Sequence, residues 1–175
     1  MDSPENSLAV IVLAAGKGTR MKSDLHKVLH PIAGRAMIDH LLASVAELAP
    51  ERQVVVAGHG KEQLEKALEG RAVIALQEPQ HGTAHAVQQA EGALSGFSGQ
   101  VLILYGDVPA LTAQTLRRLL DAHRASGATL SMLTANVEDP TGYGRIQRGS
   151  DGRVAGIVEE RDLAPPAHGR ALALA

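Results

Sequence analysis

Four stretches of this chain are apolar without a break over the length of a strand. Leu8-Ala9-Val10-Ile11-Val12-Leu13 is the first, and Val54-Val55-Val56-Ala57, Ala72-Val73-Ile74-Ala75-Leu76 and Val101-Leu102-Ile103-Leu104-Tyr105 repeat it. A strand with one face in water alternates apolar and polar residues. A run without that alternation needs cover on both faces, as in a parallel sheet flanked by helices. Ala128-Thr129-Leu130-Ser131-Met132-Leu133-Thr134 reads as a further strand. Between the runs, Met37, Ile38, Leu41, Leu42, Val45 and Leu48 recur near the helical period. Gln63 to Leu68, Thr83 to Leu94 and Thr112 to Ala125 look similar, with Thr112 placed as an N-cap. Strands alternating with helices imply β-α-β units. The expected fold is α/β, with a mainly parallel, doubly wound sheet.

The pattern changes after residue 140. Gly142 to Arg148 and Arg153 to Glu160 flank Gly149-Ser150-Asp151-Gly152, which reads as a β-hairpin. Residues 163–175 open on paired prolines and close on alanine-leucine repetition. The expectation is one domain over residues 1–162 and a poorly ordered tail over 163–175.

Composition removes several classes of function. The formal net charge is −2 and the aromatic residues are Phe97, Tyr105 and Tyr143, so neither a basic field nor a stacking surface for nucleic acid is expected. Cysteine is absent, which excludes disulfides and thiolate metal sites. The first residues lack the basic and apolar regions of a signal peptide, and no apolar run approaches the roughly 18–20 residues that span a bilayer. A cytoplasmic domain without membrane contact is expected; homo-oligomerisation stays open.

Leu13-Ala14-Ala15-Gly16-Lys17-Gly18-Thr19-Arg20-Met21 follows the first strand directly. In open α/β sheets, ligands bind outside the carboxyl ends of strands. Small residues let backbone N–H groups approach a phosphate or base, and Lys17 and Arg20 add positive charge. Two phosphate motifs are excluded: Met21 stands where a dinucleotide fingerprint needs its third glycine, and the P-loop spacing is missing. Taken alone, Gly-Lys-Gly is equally a turn. Ser23-Asp24-Leu25-His26-Lys27-Val28-Leu29-His30-Pro31 then supplies a second cation, Lys27.

With that segment the chain resembles the sugar-nucleotide pyrophosphorylases, most closely the uridyltransferase domain of the bifunctional N-acetylglucosamine-1-phosphate uridyltransferase/glucosamine-1-phosphate acetyltransferase family. Four more blocks continue the resemblance in order, over about residues 8 to 162. Gln77-Glu78-Pro79-Gln80-His81-Gly82-Thr83 is similar to the family's base-recognition element; a Gln amide can donate and accept across a pyrimidine edge, and Thr83 could cap the helix while touching ligand. Tyr105-Gly106-Asp107-Val108-Pro109 is similar to the block with the metal-binding aspartate. From its own residues, Asp107 suits Mg²⁺ or the capping of loop amides. Gly142-Tyr143-Gly144-Arg145-Ile146 and Ile157-Val158-Glu159-Glu160 resemble the sugar-binding walls. His81 and His85 have helical metal-ligand spacing but no evident third partner, and read as ordinary surface or supporting histidines.

The resemblance implies a Rossmann-like nucleotidyltransferase fold with a β-hairpin insertion. It implies transfer of UMP from UTP to N-acetylglucosamine 1-phosphate, giving UDP-N-acetylglucosamine and pyrophosphate for cell-wall precursor synthesis, with Mg²⁺ as cofactor. Arg20 and Lys27 would be catalytic. Leu13, Ala14, Ala15, Gly16, Gly18, Gln77, Gly82 and Thr83 would bind the nucleotide; Tyr105, Gly106, Gly144 and Glu159 the sugar; Asp107 the metal. Three departures stand out: His26 where the family usually has proline, His81 where leucine is common, and no counterpart of the family's later sugar-binding and metal-binding asparagines. The acetyltransferase repeats are also missing, so no acetyl transfer is expected. A nucleotide-binding module with little catalysis and a pyrophosphorylase of other nucleotide or sugar specificity stay open as alternatives.

Overall fold

The first apolar run becomes the centre of the sheet. The computed structural model describes residues 7–16, 18, 21–162 and 172–174. In chain order its elements are β1 (Leu8–Ala14), a 3-10 turn (Lys27–Leu29), β2 (Pro31–Ile32), β3 (Arg35–Ala36), α1 (Met37–Ala46), β4 (Arg52–Ala57), α2 (Lys61–Ala67), β5 (Val73–Leu76) and α3 (Thr83–Gln88). A second 3-10 turn (Gly92–Leu94), β6 (Gln100–Tyr105), α4 (Ala113–Ser126), β7 (Thr134–Asn136), β8 (Arg145–Arg148), β9 (Val154–Val158), a 3-10 turn (Glu160–Asp162) and β10 (Leu172–Leu174) follow. The chain divides after Arg117 into two compact units.

In the first unit the order is β5-β4-β1-β6, and every pairing is parallel. This is the α/β sheet expected from the four apolar runs. All seven residues of β1 are buried, as a strand covered on both faces requires. On one face Ile11 and Leu13 pack with Val54, Val56, Ala86 and Ala90, which brings α3 and the turn after it onto the sheet. Strand alternation turns Val10 and Val12 to the other face. The α1 helix buries Ile38, Leu41, Leu42 and Val45, the stripe that its sequence period specified.

The expected helix Thr83–Leu94 is shorter. It stops at Gln88 and resumes as a 3-10 turn at Gly92, a residue that favours helix poorly. Thr112 caps α4 as expected: its Oγ1 accepts a hydrogen bond from the Thr115 N–H at 3.2 Å.

The second unit holds two small antiparallel sheets, β7 with β10 and β8 with β9. The expected hairpin is present, with Gly149 N–H donating to Arg153 O at 2.9 Å and Gly152 N–H to Gly149 O at 3.0 Å. The strand expected at 128–134 is a correction. Residues 128–133 are irregular, Leu130 is exposed, and the strand is Thr134–Asn136, because that is the stretch for which β10 supplies a hydrogen-bonding edge. Within residues 163–175, expected as a poorly ordered tail, Leu172–Leu174 is that β10 strand and the rest lies outside the described residues.

Candidate active site

The carboxyl ends of β1 and β6 lie side by side, with Leu13 opposite Tyr105. Gly106 continues this contact by donating its N–H to Leu13 O at 2.9 Å. A Cβ at Gly106 would lie 3.3 Å from both Leu13 O and a Val28 methyl, so a larger residue would press the two strand ends apart. Asp107 follows at once. Its Oδ2 receives a hydrogen bond from Lys27 Nζ at 2.6 Å, across 80 positions of sequence. Both side chains remain over a third exposed, so each can still meet a ligand.

Gly18 holds the other side of the lysine. Its φ of +59° suits glycine, and a Cβ there would come within 2.9 Å of Lys27 Cβ. The glycine loop therefore rests on the lysine. Arg20, the second expected cation, lies outside the described residues, as do Lys17 and Thr19.

One open cavity of about 280 Å³ collects most of the expected residues. Leu13, Ala14, Ala15 and Gly16 form one wall; Gln77, Gly82 and Thr83 a second; Tyr105, Asp107 and Lys27 close the charged end. Val28, Gln80 and Ala86 also line it, residues that no sequence pattern singles out as ligand contacts. Gln80 donates from Nε2 to the Ala15 carbonyl. Its signal was an amide between two residues already chosen, in a block whose strand-to-helix turn had to face the loop. Gly58 went unnoticed for a different reason. A Cβ there would lie 2.7 Å from Ala15 O, a clash that only coordinates reveal.

The recognition end differs from expectation in two respects. Gly82, at φ +93° and ψ −178°, is the residue before α3 and caps it without a side chain. Thr83 is therefore the first helical residue and not its cap. The backbone conformation needed to enter the helix suits glycine and occurs one residue earlier. The buried Gln77 donates from Nε2 to Gly82 O at 2.9 Å and meets His85 Nδ1 at 3.1 Å. Its donors are thus committed to the protein, and Oε1 is the half of the amide left for a ligand. His85, set between Gln77 and Gln89 and edge-on to His81, supports that amide.

His26 precedes the lysine and is buried, with neither ring nitrogen in hydrogen-bond geometry to any group. Burial pushes its pKa down; the Ala14 backbone opposes this shift and His59 adds to it.

Gly144 and Glu159 belong to the second unit. They stand just before β8 and just after β9, so the antiparallel pairing makes them neighbours: a Cβ at Gly144 would lie 3.8 Å from Glu159 Oε2. Glu159 is exposed, while Glu160 accepts the Gly142 N–H at 2.6 Å.

Among the described residues no three His, Asp or Glu side chains form a metal cluster. Among the described residues, Asp107 is the single carboxylate lining the cavity. One carboxylate suits an ion that takes most of its shell from phosphate oxygens and water, which is the habit of Mg²⁺. The residues therefore fit such an ion bound together with a phosphorylated substrate, provided Lys27 gives up or shares Oδ2.

Residues 10–157 match the MobA-like NTP transferase domain family. The chain is 64% identical over 163 residues to the bifunctional protein GlmU of Novosphingobium aromaticivorans, and 53% identical over 157 residues to that of a Synechococcus species. These alignments cover 93% and 89% of the chain but 35% of each relative, so the chain spans about a third of their length. Among solved structures, HddC from Yersinia pseudotuberculosis complexed with GMP-PN superposes with a TM-score of 0.66 at 18% identity, over 86% of this chain and 68% of that one. Rv0371C from Mycobacterium tuberculosis in complex with manganese gives 0.57 at 19%, over 68% and 60%. Both are likenesses of fold.

Proposed function

Since the chain belongs to the MobA-like NTP transferase domain family, we propose that it transfers UMP from UTP to N-acetylglucosamine 1-phosphate, releasing pyrophosphate. The observation that carries this reading is the meeting of Lys27 and Asp107 at one end of a cavity whose other walls are small, apolar and amide-bearing. Such a cavity suits a nucleoside at one end and phosphates at the other. The uridine and amino-sugar specificity rests on the resemblance of the five sequence blocks and on the identity to GlmU proteins.

In the proposed reaction an oxygen of the sugar phosphate attacks the α-phosphorus of UTP. The new P–O bond forms as the bond to the bridging oxygen breaks, and pyrophosphate leaves with that electron pair. No covalent enzyme intermediate is needed, so the protein's work is positioning and charge stabilisation. Leu13, Ala14 and Ala15 flank the nucleoside, Gly16 and Gly18 let the chain approach phosphate, and Gln77 Oε1 accepts from the base. Lys27 draws the sugar phosphate toward the α-phosphorus and Arg20 neutralises the leaving pyrophosphate. Tyr105, Gly106, Gly144 and Glu159 would meet the sugar. Mg²⁺, held by Asp107, would supply Lewis-acid stabilisation of the phosphate charge. Cytoplasmic synthesis of a cell-wall precursor is the setting this reading implies.

Pyrophosphate release by the purified chain with UTP, N-acetylglucosamine 1-phosphate and Mg²⁺ tests the proposal, beside calorimetric titration with Mg-UTP. Release that depends on both substrates is expected. Binding without release would favour the nucleotide-binding module, and faster release with another nucleotide or sugar phosphate would move the specificity. Absence of both binding and release would overturn the reading.

A further inference from the structure

Lys27 sits on a three-residue turn whose own hydrogen bonds, among the described residues, are Leu29 N–H to His26 O at 2.9 Å and His30 N–H to Lys27 O at 3.3 Å, while Met37 N–H to His30 O at 3.0 Å holds its far end. The end before the lysine needs a hold of its own. The amide of Gln63, on α2, reaches back to the segment before the lysine. Its Oε1 accepts the His26 N–H at 2.8 Å, and its Nε2 donates to Asp24 O at 2.9 Å. One side chain thus offers the acceptor and donor that a neighbouring strand would offer to residues i and i+2.

The imidazole adds the second hold. It is buried with neither nitrogen in good hydrogen-bond geometry, the Ala14 backbone being the polar group that favours its charged form, so packing is its main hold. Gly60, at the start of α2 with φ +82°, leaves the room: a Cβ there would lie 3.2 Å from His26 Cδ2. His26 itself has φ −54°, within the range a proline ring would fix, but unlike proline it keeps the N–H that Gln63 accepts. A flexible residue is being held where a locked one would sit.

We infer that Gln63 and the buried His26 ring form a latch from α2 that positions Lys27 for phosphate, making both of them positioning residues. The inference rests on the proposed phosphate role of Lys27, but the latch has a readout of its own.

The test is a two-by-two set in the full chain: parent, Gln63→Ala, His26→Ala, and both together. Amide exchange of residues 27–30 is measured in each, beside kinetics for N-acetylglucosamine 1-phosphate and Mg-UTP binding. Gln63→Ala, which removes two hydrogen bonds, is expected to speed exchange of the turn and raise KM for the sugar phosphate about tenfold, with kcat little changed. His26→Ala, which keeps the N–H that Gln63 accepts but removes the packed ring, is expected to speed exchange of the same amides and to raise KM in the same direction. In the His26→Ala background, Gln63→Ala should then have less than half its effect, because the two holds act as one latch. Unchanged exchange in Gln63→Ala, or an equal effect of that change in both backgrounds, would overturn the latch. A chain that follows the exchange pattern but binds no Mg-UTP would leave the latch standing and sink the proposed function instead.

Discussion

The two places expected to touch substrate are built differently. The Lys27–Asp107 end lies where β6 finishes beside β1, whose seven residues are all buried between neighbours that pair with it in register. The Gly144–Glu159 wall rises from a two-stranded hairpin in which Val154, Ala155 and Ile157 are exposed and Ile146 is the buried anchor. A lone hairpin is marginally stable in water. The groups proposed to meet the phosphate thus stand beside the sheet core. Of the proposed sugar contacts, Tyr105 and Gly106 share that support, whereas Gly144 and Glu159 stand on the hairpin.

The contrast is sharpest in chemistry. Asp107→Asn should lower turnover about 10²–10³-fold, the usual loss when one electrostatic partner of a developing charge is removed. Its urea midpoint should stay near the parent's, since an exposed ion pair adds little stability. Pyrophosphate release and a denaturation curve check both halves. Parental turnover would remove Asp107 from the mechanism.

Stability offers the next break. Ile11→Ala, at 2% exposure in the sheet core, should cost about 2–5 kcal/mol. Ile157→Ala, at 43% exposure in the hairpin, should cost under about 1 kcal/mol. Equal costs by chemical denaturation would mean that the hairpin carries a core of comparable weight.

Glu159→Gln should have a smaller effect, about tenfold on KM for the sugar phosphate, close to the loss of one charge-assisted hydrogen bond. Mg-UTP affinity should not move. If this change damages turnover as much as Asp107→Asn does, the division between reacting and selecting regions fails.

The smallest effect is a pH slope. Because burial holds the folded pKa of His26 below the unfolded value, only the unfolded chain takes up this proton as pH drops below about 6.5. Stability attributable to His26 is therefore full above that pH and declines below it. Urea midpoints between pH 7.5 and 5.5 should fall more steeply in the parent than in His26→Gln, and parallel lines would exclude the effect.

Local patterns in the sequence carried a large part of this molecule. The unbroken apolar runs required strands covered on both faces, and the four that form the sheet do so in place. Thr112 and the Gly149–Gly152 turn act locally and were legible for that reason. The run at 128–134 misled because a strand is defined by its partner, and the edge offered by Leu172–Leu174 meets residues 134–136 instead. The helix entry at Gly82 was missed as a cap because backbone dihedrals, rather than side-chain type, select it.

The sequence by itself determined which residue types stand at the strand ends: glycines where the chain must turn or approach closely, a lysine, an amide and an aspartate. Tertiary structure alone decided how they are used. It placed Lys27 against Asp107 across 80 residues, spent the donors of Gln77 on Gly82 and His85, and tied the segment before Lys27 to α2 through Gln63. The physical reason is that conformational preference acts over a few neighbouring residues. A hydrogen bond or ion pair between distant side chains exists only after the burial of Ile11, Val54 and their neighbours has brought those strand ends together.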